Sequence, residues 1–329
     1  MSSPHLAPPL DVELRPGRTP LLHVEPVTDL ADWTARHREA LRGVVAQHGA
    51  VLIRGLGVRD AAGAATAFRS LGVGLMAERE AFAPRQTYVE GVYSSTKWPA
   101  NQPMCMHNEL SYTLEVPSLM LFACLTPPAA GGVTGVADST VVMNQLPPEL
   151  VQRFAREGWI LVRNYNDEIG ASYADAFGTD DRGAVEAYCR ANAIEFEWRP
   201  DGGLRTRQRR HALVGHPTTG QACWFNQIAF LNEWTMDPDV HEYLVEAYGA
   251  DNLPFTTCFG NGEPVGADIV ELLNQVYDAN TLREPWQAGD LMLVDNVRMA
   301  HSREPYEGER EIVVGMSAPL RMPVPGAAR

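Results

Sequence analysis

The chain has 329 residues, of which 45% are hydrophobic, and carries 41 acidic against 27 basic side chains for a formal net charge of −14. That content is enough to bury a sizeable core, while an acidic surface repels a phosphate backbone and argues against nucleic acid as a partner. No apolar run reaches the roughly 18–20 residues that span a bilayer, so no membrane partner is expected.

Residues 1–20 contain Pro4, Pro8, Pro9, Pro16 and Pro20 and read as an extended or disordered arm. Residues 30–48 read as a helix, with Leu30, Trp33, Leu41, Val44 and Val45 as its apolar positions and Gly49 to close it in a positive-φ conformation. Ala50 to Gly55 follows as a short buried strand, and Asp60 is placed to cap a second helix running to about Leu71. From residue 88 onward short apolar runs separated by Gly, Pro and Asn favour strands. Helices are expected near 147–157, 236–248 and 267–279, the middle one announced by Asp237-Pro238. The tail predicts two strands, Leu291 to Asn296 and Ile312 to Met316, set off by turns at Gly289-Asp290 and at Tyr306 to Glu309. The loop between them carries His301. One basic cluster, Arg199, Arg205, Arg207, Arg209 and Arg210, stands against the acidic background. With Gly202-Gly203 as a hinge, it suggests a lid segment around 165–215 beside the pocket, within a single domain spanning 21–329.

The start Met1-Ser2-Ser3-Pro4-His5 has no basic stretch leading into an apolar one. The five cysteines Cys105, Cys124, Cys189, Cys223 and Cys258 are scattered and never form a CxxC pair, which fits reduced thiols in the cytoplasm rather than a disulfide frame or a zinc site.

Three motifs bear on chemistry. In an extended segment His107 and Glu109 of Met106-His107-Asn108-Glu109 point to the same side; one further imidazole would complete a two-His-one-carboxylate set with open positions, suited to non-haem Fe(II). Taken alone, the pair reads more readily as a surface His beside a solvated Glu. His301, at the mouth of an apolar strand, is the candidate third ligand. Nine positions on, Arg310 can pair bidentately with the carboxylate of an iron-chelating cosubstrate, or is an ordinary surface arginine. Thr134, after the turn Gly131-Gly132, can donate its hydroxyl to a carboxylate, or is simply a β-branched strand residue.

Taken together, His107-Asn108-Glu109, Gly131-Gly132-Val133-Thr134 and Asn296…His301…Arg310 resemble, in order and approximate spacing, the taurine dioxygenase-like (TauD/TfdA) superfamily, closest to the branch of clavaminate synthase and the syringomycin-type amino-acid hydroxylases. The resemblance implies an α+β fold with a double-stranded β-helix (jelly-roll) core and flanking helices. It implies Fe(II) held by His107, Glu109 and His301, with 2-oxoglutarate and dioxygen as cosubstrates and Arg310 and Thr134 on the distal carboxylate. It further implies hydroxylation, or a related desaturation, epoxidation or cyclisation, of an amino-acid-derived substrate, free or bound to a carrier protein. The family's halogenases lack the metal-binding carboxylate, so Glu109 disfavours chlorination. Many relatives place a second arginine where this chain has Val314; Arg303 is the reserve candidate for the clamp. Trp98, Asn226 and Arg298 are the candidate substrate contacts, although Asn226 reads nearly as well as a core residue and Arg298 as the partner of a surface acid. A metal-free cupin, a zinc hydrolase and a purely structural jelly roll are the rival readings, none of which gives Thr134 and Arg310 a role.

Overall fold

The computed structural model describes residues 10–25, 27–83, 85–166 and 168–326. Its centre is an eight-stranded sheet in the order Val12–Glu13, Leu21–His23, Ala50–Arg54, Leu291–Asp295, Glu115–Thr126, Glu311–Arg321, Val92–Ser94 and Thr87–Val89. All neighbours pair antiparallel except Leu21–His23 with Ala50–Arg54. The central strands are apolar almost without interruption because both of their faces are covered. Val51, Ile53, Leu121, Ala123, Leu293 and Val313 point to one side, against Leu41, Val45 and Phe68. Leu52, Met120, Phe122, Met292, Val294, Ile312 and Val314 point to the other, into a second and larger core.

The first side is covered by helices Leu30–His48 and Ala61–Leu71. Both begin as their sequences direct: Asp29 accepts from Asp32 N at 3.0 Å and Asp60 from Gly63 N at 2.7 Å, satisfying backbone donors that have no intrahelical partner. Gly49 closes the first helix at φ 79°. The helices Pro148–Glu157, Pro238–Tyr248 and Ala267–Ala279 stand where expected. Among the described residues no helix is long and apolar enough to cross a membrane.

On the second side lie a three-stranded sheet, Met104–His107, Met299–Arg303 and Val136–Asp138, and a four-stranded sheet, Ile194–Trp198, Leu204–Arg210, Trp159–Tyr165 and Phe255–Phe259. Two expectations change here. The N-terminal segment is no arm from residue 10 on, because Val12–Glu13 pairs with Leu21–His23 and the Pro20 carbonyl accepts from Leu52 N at 2.8 Å; proline lacks a donor but keeps its acceptor. Residues 1–9 of that expected arm lie outside the described residues. The arginine cluster is a strand with period-two burial: Thr206, Gln208 and Arg210 face inward, while Arg205 and Arg207 stand opposite Glu197 and Glu195. Gly202-Gly203 forms the turn of that hairpin, with Arg199 N donating to Gly203 O at 2.8 Å. Acids thus stand opposite two of the cluster's arginines, while Arg209 and Arg210 donate to backbone carbonyls.

Gly315 marks the closest approach of a helix to the large sheet: a Cβ there would lie 2.6 Å from Phe68 Cδ2. The Phe68 ring is fully buried and cannot swing clear. Gly315→Ala is therefore expected to destabilise the fold by about 1–3 kcal/mol through overpacking, read as a lower urea midpoint with an unchanged m-value. An unchanged midpoint would mean the helix can shift freely.

Candidate active site

His107 ends the strand Met104–His107, and His301 lies directly opposite it on Met299–Arg303, in Cα register. Glu109 lies beyond the strand in the following loop. The two residues reach the same side because Asn108 between them turns the other way and is fully buried. Asn108 Nδ2 donates to Asn296 O at 2.8 Å and Met299 O at 3.2 Å. Asn296 in turn holds Glu109 by its backbone: Glu109 N donates to Asn296 Oδ1 at 2.7 Å, and Asn296 Nδ2 donates to Glu109 O at 3.0 Å and Pro117 O at 2.8 Å.

The three side chains converge, with one ligand atom from each within 4.8 Å of the others. Glu109 Oε2 lies 3.4 Å from His301 Nε2 and 3.9 Å from His107 Nε2. His107 Nδ1 lies 2.8 Å from Cys105 O; donating there leaves the Nε2 lone pair facing the site. The His107 ring stacks on Phe230 at 4.6 Å, and His301 packs between His107 and Phe122. His301 Nδ1 is buried with no partner among the described residues, so packing rather than a hydrogen bond orients that ring.

Burial, seconded by His301, pushes the His107 imidazole down to about 3. Burial by itself would raise the Glu109 carboxyl, but Arg85 and then His301 outweigh it and hold Glu109 well below the usual carboxylate range. The donor set at neutral pH is thus a neutral imidazole beside an ionised carboxylate, with a second imidazole completing it. These are the nitrogen and oxygen donors of a facial two-His-one-carboxylate iron site, and the residues fit such an ion.

A cavity of about 440 Å³ opens beside this cluster, lined by His107, Glu109, His301, Thr134, Arg303 and Arg310 among others. Arg310 Nε donates to Gly132 O at 3.0 Å and Nη2 to Thr134 Oγ1 at 3.2 Å. Trp286 Nε1 also donates to Thr134 Oγ1, at 3.1 Å, so the threonine proton is left to donate elsewhere. No carboxylate pairs with Arg310 among the described residues; burial and the nearby Arg303 push it down to about 10. Arg303, the reserve candidate, is committed otherwise. It donates to the carbonyls of Trp98 at 3.1 Å, Pro99 at 2.7 Å and Gln102.

A larger cavity, about 770 Å³, meets the first at Arg85, Thr96, Met104, His107 and Glu109. Trp98 lines it as expected, beside Phe82, Tyr112, Phe230 and Phe255. The other two candidate contacts do not. Asn226 is a core residue, Nδ2 donating to Ala212 O at 3.3 Å and Oδ1 accepting from Ile228 N at 3.1 Å; its neighbour Gln227 faces the cavity instead. Arg298 pairs with Asp138 at 2.8 Å and caps the carbonyls of Ala46 and Gln47, outside either cavity. None of the arginines at 199–210 lines them either. Arg85 and Glu78 do. They carried no signal in the sequence, being isolated charges in a segment without periodicity.

The electrostatics predict a pH dependence. His107 has an ordinary value of 6.5 and a folded value of about 3, so between these the unfolded chain binds more protons. Stability of the metal-free protein is complete above about 6.5 and declines as pH falls toward about 3. The Glu109 carboxylate, held below its ordinary value, acts in the same direction at the acid end. Urea midpoints across this range should slope upward with pH, and His107→Gln should flatten the slope. Parallel slopes would show that His107 does not titrate as its burial requires.

The comparisons with known proteins come from sequence and from fold. Residues 15–316 match the family described as taurine catabolism dioxygenase TauD, TfdA family. Dapdiamide synthesis protein DdaC of Enterobacter agglomerans is 31% identical over 277 residues, covering 84% of this chain and 84% of that protein. A clavaminate synthase-like protein of Arabidopsis thaliana is 28% identical over 287 residues, covering 84% and 83%. Among solved structures, PvcB, an Fe, α-ketoglutarate-dependent oxygenase from an isonitrile synthetic pathway, shares the fold at TM-score 0.55 and 16% identity, over 96% of both chains. A taurine dioxygenase from Burkholderia xenovorans does so at TM-score 0.51 and 16% identity, over 95% of this chain and 92% of that one. The chain belongs to the TauD/TfdA dioxygenase family.

Proposed function

We propose that this protein is an Fe(II)- and 2-oxoglutarate-dependent oxygenase that hydroxylates an unactivated C–H bond of a small amino-acid-derived substrate, free or carried on a protein. His107, Glu109 and His301 are the metal ligands, and Arg310 with Thr134 receives the distal carboxylate of 2-oxoglutarate. The eight-stranded and three-stranded sheets are read as the two faces of a double-stranded β-helix, within one oxygenase domain over 21–329. The observation that carries the reading is Arg310: a guanidinium with no carboxylate of its own opens, with a threonine hydroxyl, into the same cavity as the metal-binding triad. A buried cation is stabilised by an anion, and the distal carboxylate of 2-oxoglutarate supplies one.

When bound, iron with 2-oxoglutarate supplies the oxidising power for C–H cleavage. The chain positions and shields. Arg310 and Thr134 fix one end of the cosubstrate, the triad lies between the two cavities, and Phe82, Trp98, Phe230 and Phe255 keep the larger cavity apolar, which limits water at the reacting centre. No side chain needs to act as a general base. The amino-acid assignment draws on the relatives: DdaC is named for dapdiamide synthesis and PvcB for an isonitrile pathway. Glu109 fills the position a halide would need.

The protein given Fe(II), 2-oxoglutarate and dioxygen with a panel of amino acids and their conjugates should release succinate only with iron present, together with a product one oxygen heavier. Loss of two hydrogens instead would place it among the desaturases or cyclases, and a chlorinated product in chloride buffer would overturn the role given to Glu109. Arg310→Ala should raise the KM for 2-oxoglutarate about 30-fold or more, since losing one partner of a buried charge pair costs about 2 kcal/mol or more, while the KM for the primary substrate moves little. If Arg303→Ala has that phenotype and Arg310→Ala does not, the clamp is assigned to the wrong arginine.

A further inference from the structure

Arg85 is buried beside the metal-binding triad, and its two ends meet different acids. Nη2 donates to Glu109 Oε1 at 2.9 Å, and Nε lies 3.2 Å from Glu78 Oε1. The other oxygen of Glu109, Oε2, is the one that faces His301 and His107. The carboxylate is therefore divided: one oxygen is held by a cation and one is turned to the site.

We propose that Arg85 is a positioning residue that fixes Glu109 as a one-oxygen ligand, with Glu78 anchoring the guanidinium from behind. This inference rests on the metal-centre reading above. A facial triad is useful because positions on the metal stay open. A free carboxylate can rotate and offer both oxygens, closing one of them; a planar guanidinium bonded to Oε1 prevents that rotation. Glu78 gives the arginine a second acid, 3.2 Å from Nε. The Asn296 hold on the Glu109 backbone sets where the residue sits, and Arg85 sets how its carboxylate is turned. Partners of this kind commonly tune affinity as much as the ligands do.

The test is Co(II) titration of the metal-free protein, followed by calorimetry and by the visible absorption of the bound ion. Arg85→Met should weaken binding about 10- to 100-fold, because the loosened carboxylate is no longer held ready for the ion, and alter the absorption bands at saturation as the carboxylate's orientation changes. Arg85→Lys, a shorter cation without the planar fork that holds one oxygen in a fixed orientation, should also bind more weakly and shift the bands. The direction discriminates, because by Coulomb's law alone removing a cation beside the ligand would tighten metal binding. Thermal unfolding of the metal-free variants establishes that each is folded; if the Met variant is not, the Lys variant decides. Wild-type affinity and bands in a folded Arg85 variant would overturn the positioning role. A wild-type protein that binds no more Co(II) than Glu109→Ala would instead sink the metal-centre reading itself.

Discussion

Asn296 grips the loop after the strand Met104–His107 through two hydrogen bonds to the backbone of Glu109 and holds Pro117 of the next strand with a third, and the geometry of the site depends on that grip. His107 is placed by its strand and His301 by the facing strand, but Glu109 has no ladder to hold it. The side chain of Asn108 completes the knot, donating to the carbonyls of Asn296 and Met299, so the loop is locked to the strand that bears His301. Every amide in this knot is buried. A buried amide left without a partner costs about 1–3 kcal/mol, which makes any other arrangement of the loop unfavourable. The backbone of Glu109 is held in this way, and Arg85 bonds one oxygen of its carboxylate.

Charge within the site follows the same economy of pairing. Glu109 is balanced by Arg85, Arg85 also by Glu78, and Arg303 by three backbone carbonyls. Arg310, in the smaller cavity, hydrogen-bonds a carbonyl and a hydroxyl and lies over the Tyr306 ring, with no carboxylate paired to it among the described residues. Its low pKa has the same origin, since burial and Arg303 both disfavour the cation. An anion bound there would relieve both.

The parts of this arrangement that were legible in the sequence are those fixed by local chemistry. Asp29, Gly49 and Asp60 begin and end helices through groups within four residues of themselves, and the apolar runs around residues 52, 121, 293 and 313 are strands whose two faces are both buried. His107, Glu109, His301, Thr134 and Arg310 stood out because motif and order together restrict them. What failed depended on pairing across the chain. Arg298 finds Asp138, 160 positions away. Arg205 and Arg207 stand opposite Glu197 and Glu195 across a hairpin. Asn226 spends its amide within the core and leaves the cavity to Gln227. Arg85 reaches Glu109 from a segment with no periodic signal at all. A charge read in sequence has a sign but no partner, and here the partner decides its role.

The departure at Val314 fits this picture. Where relatives place a second arginine, this chain sets an apolar side chain against the smaller cavity, next to Ile312 and Phe122. The cavity therefore has three zones. Arg310 and Thr134 form a cationic, hydrogen-bonding group, Phe122, Ile312 and Val314 an apolar one, and His107, Glu109 and His301, with Arg85 on Glu109, the metal-binding one. A molecule complementary to it carries a carboxylate at one end, methylene groups between, and metal-chelating oxygens at the other, which is the constitution of 2-oxoglutarate. A second arginine at 314 would place a cation against those methylene groups, and with Arg303 already committed to the 98–102 carbonyls it would have no protein acid to pair with. Valine there leaves Arg310, bonded only to a carbonyl and a hydroxyl, as the cation that the proposed cosubstrate carboxylate would meet.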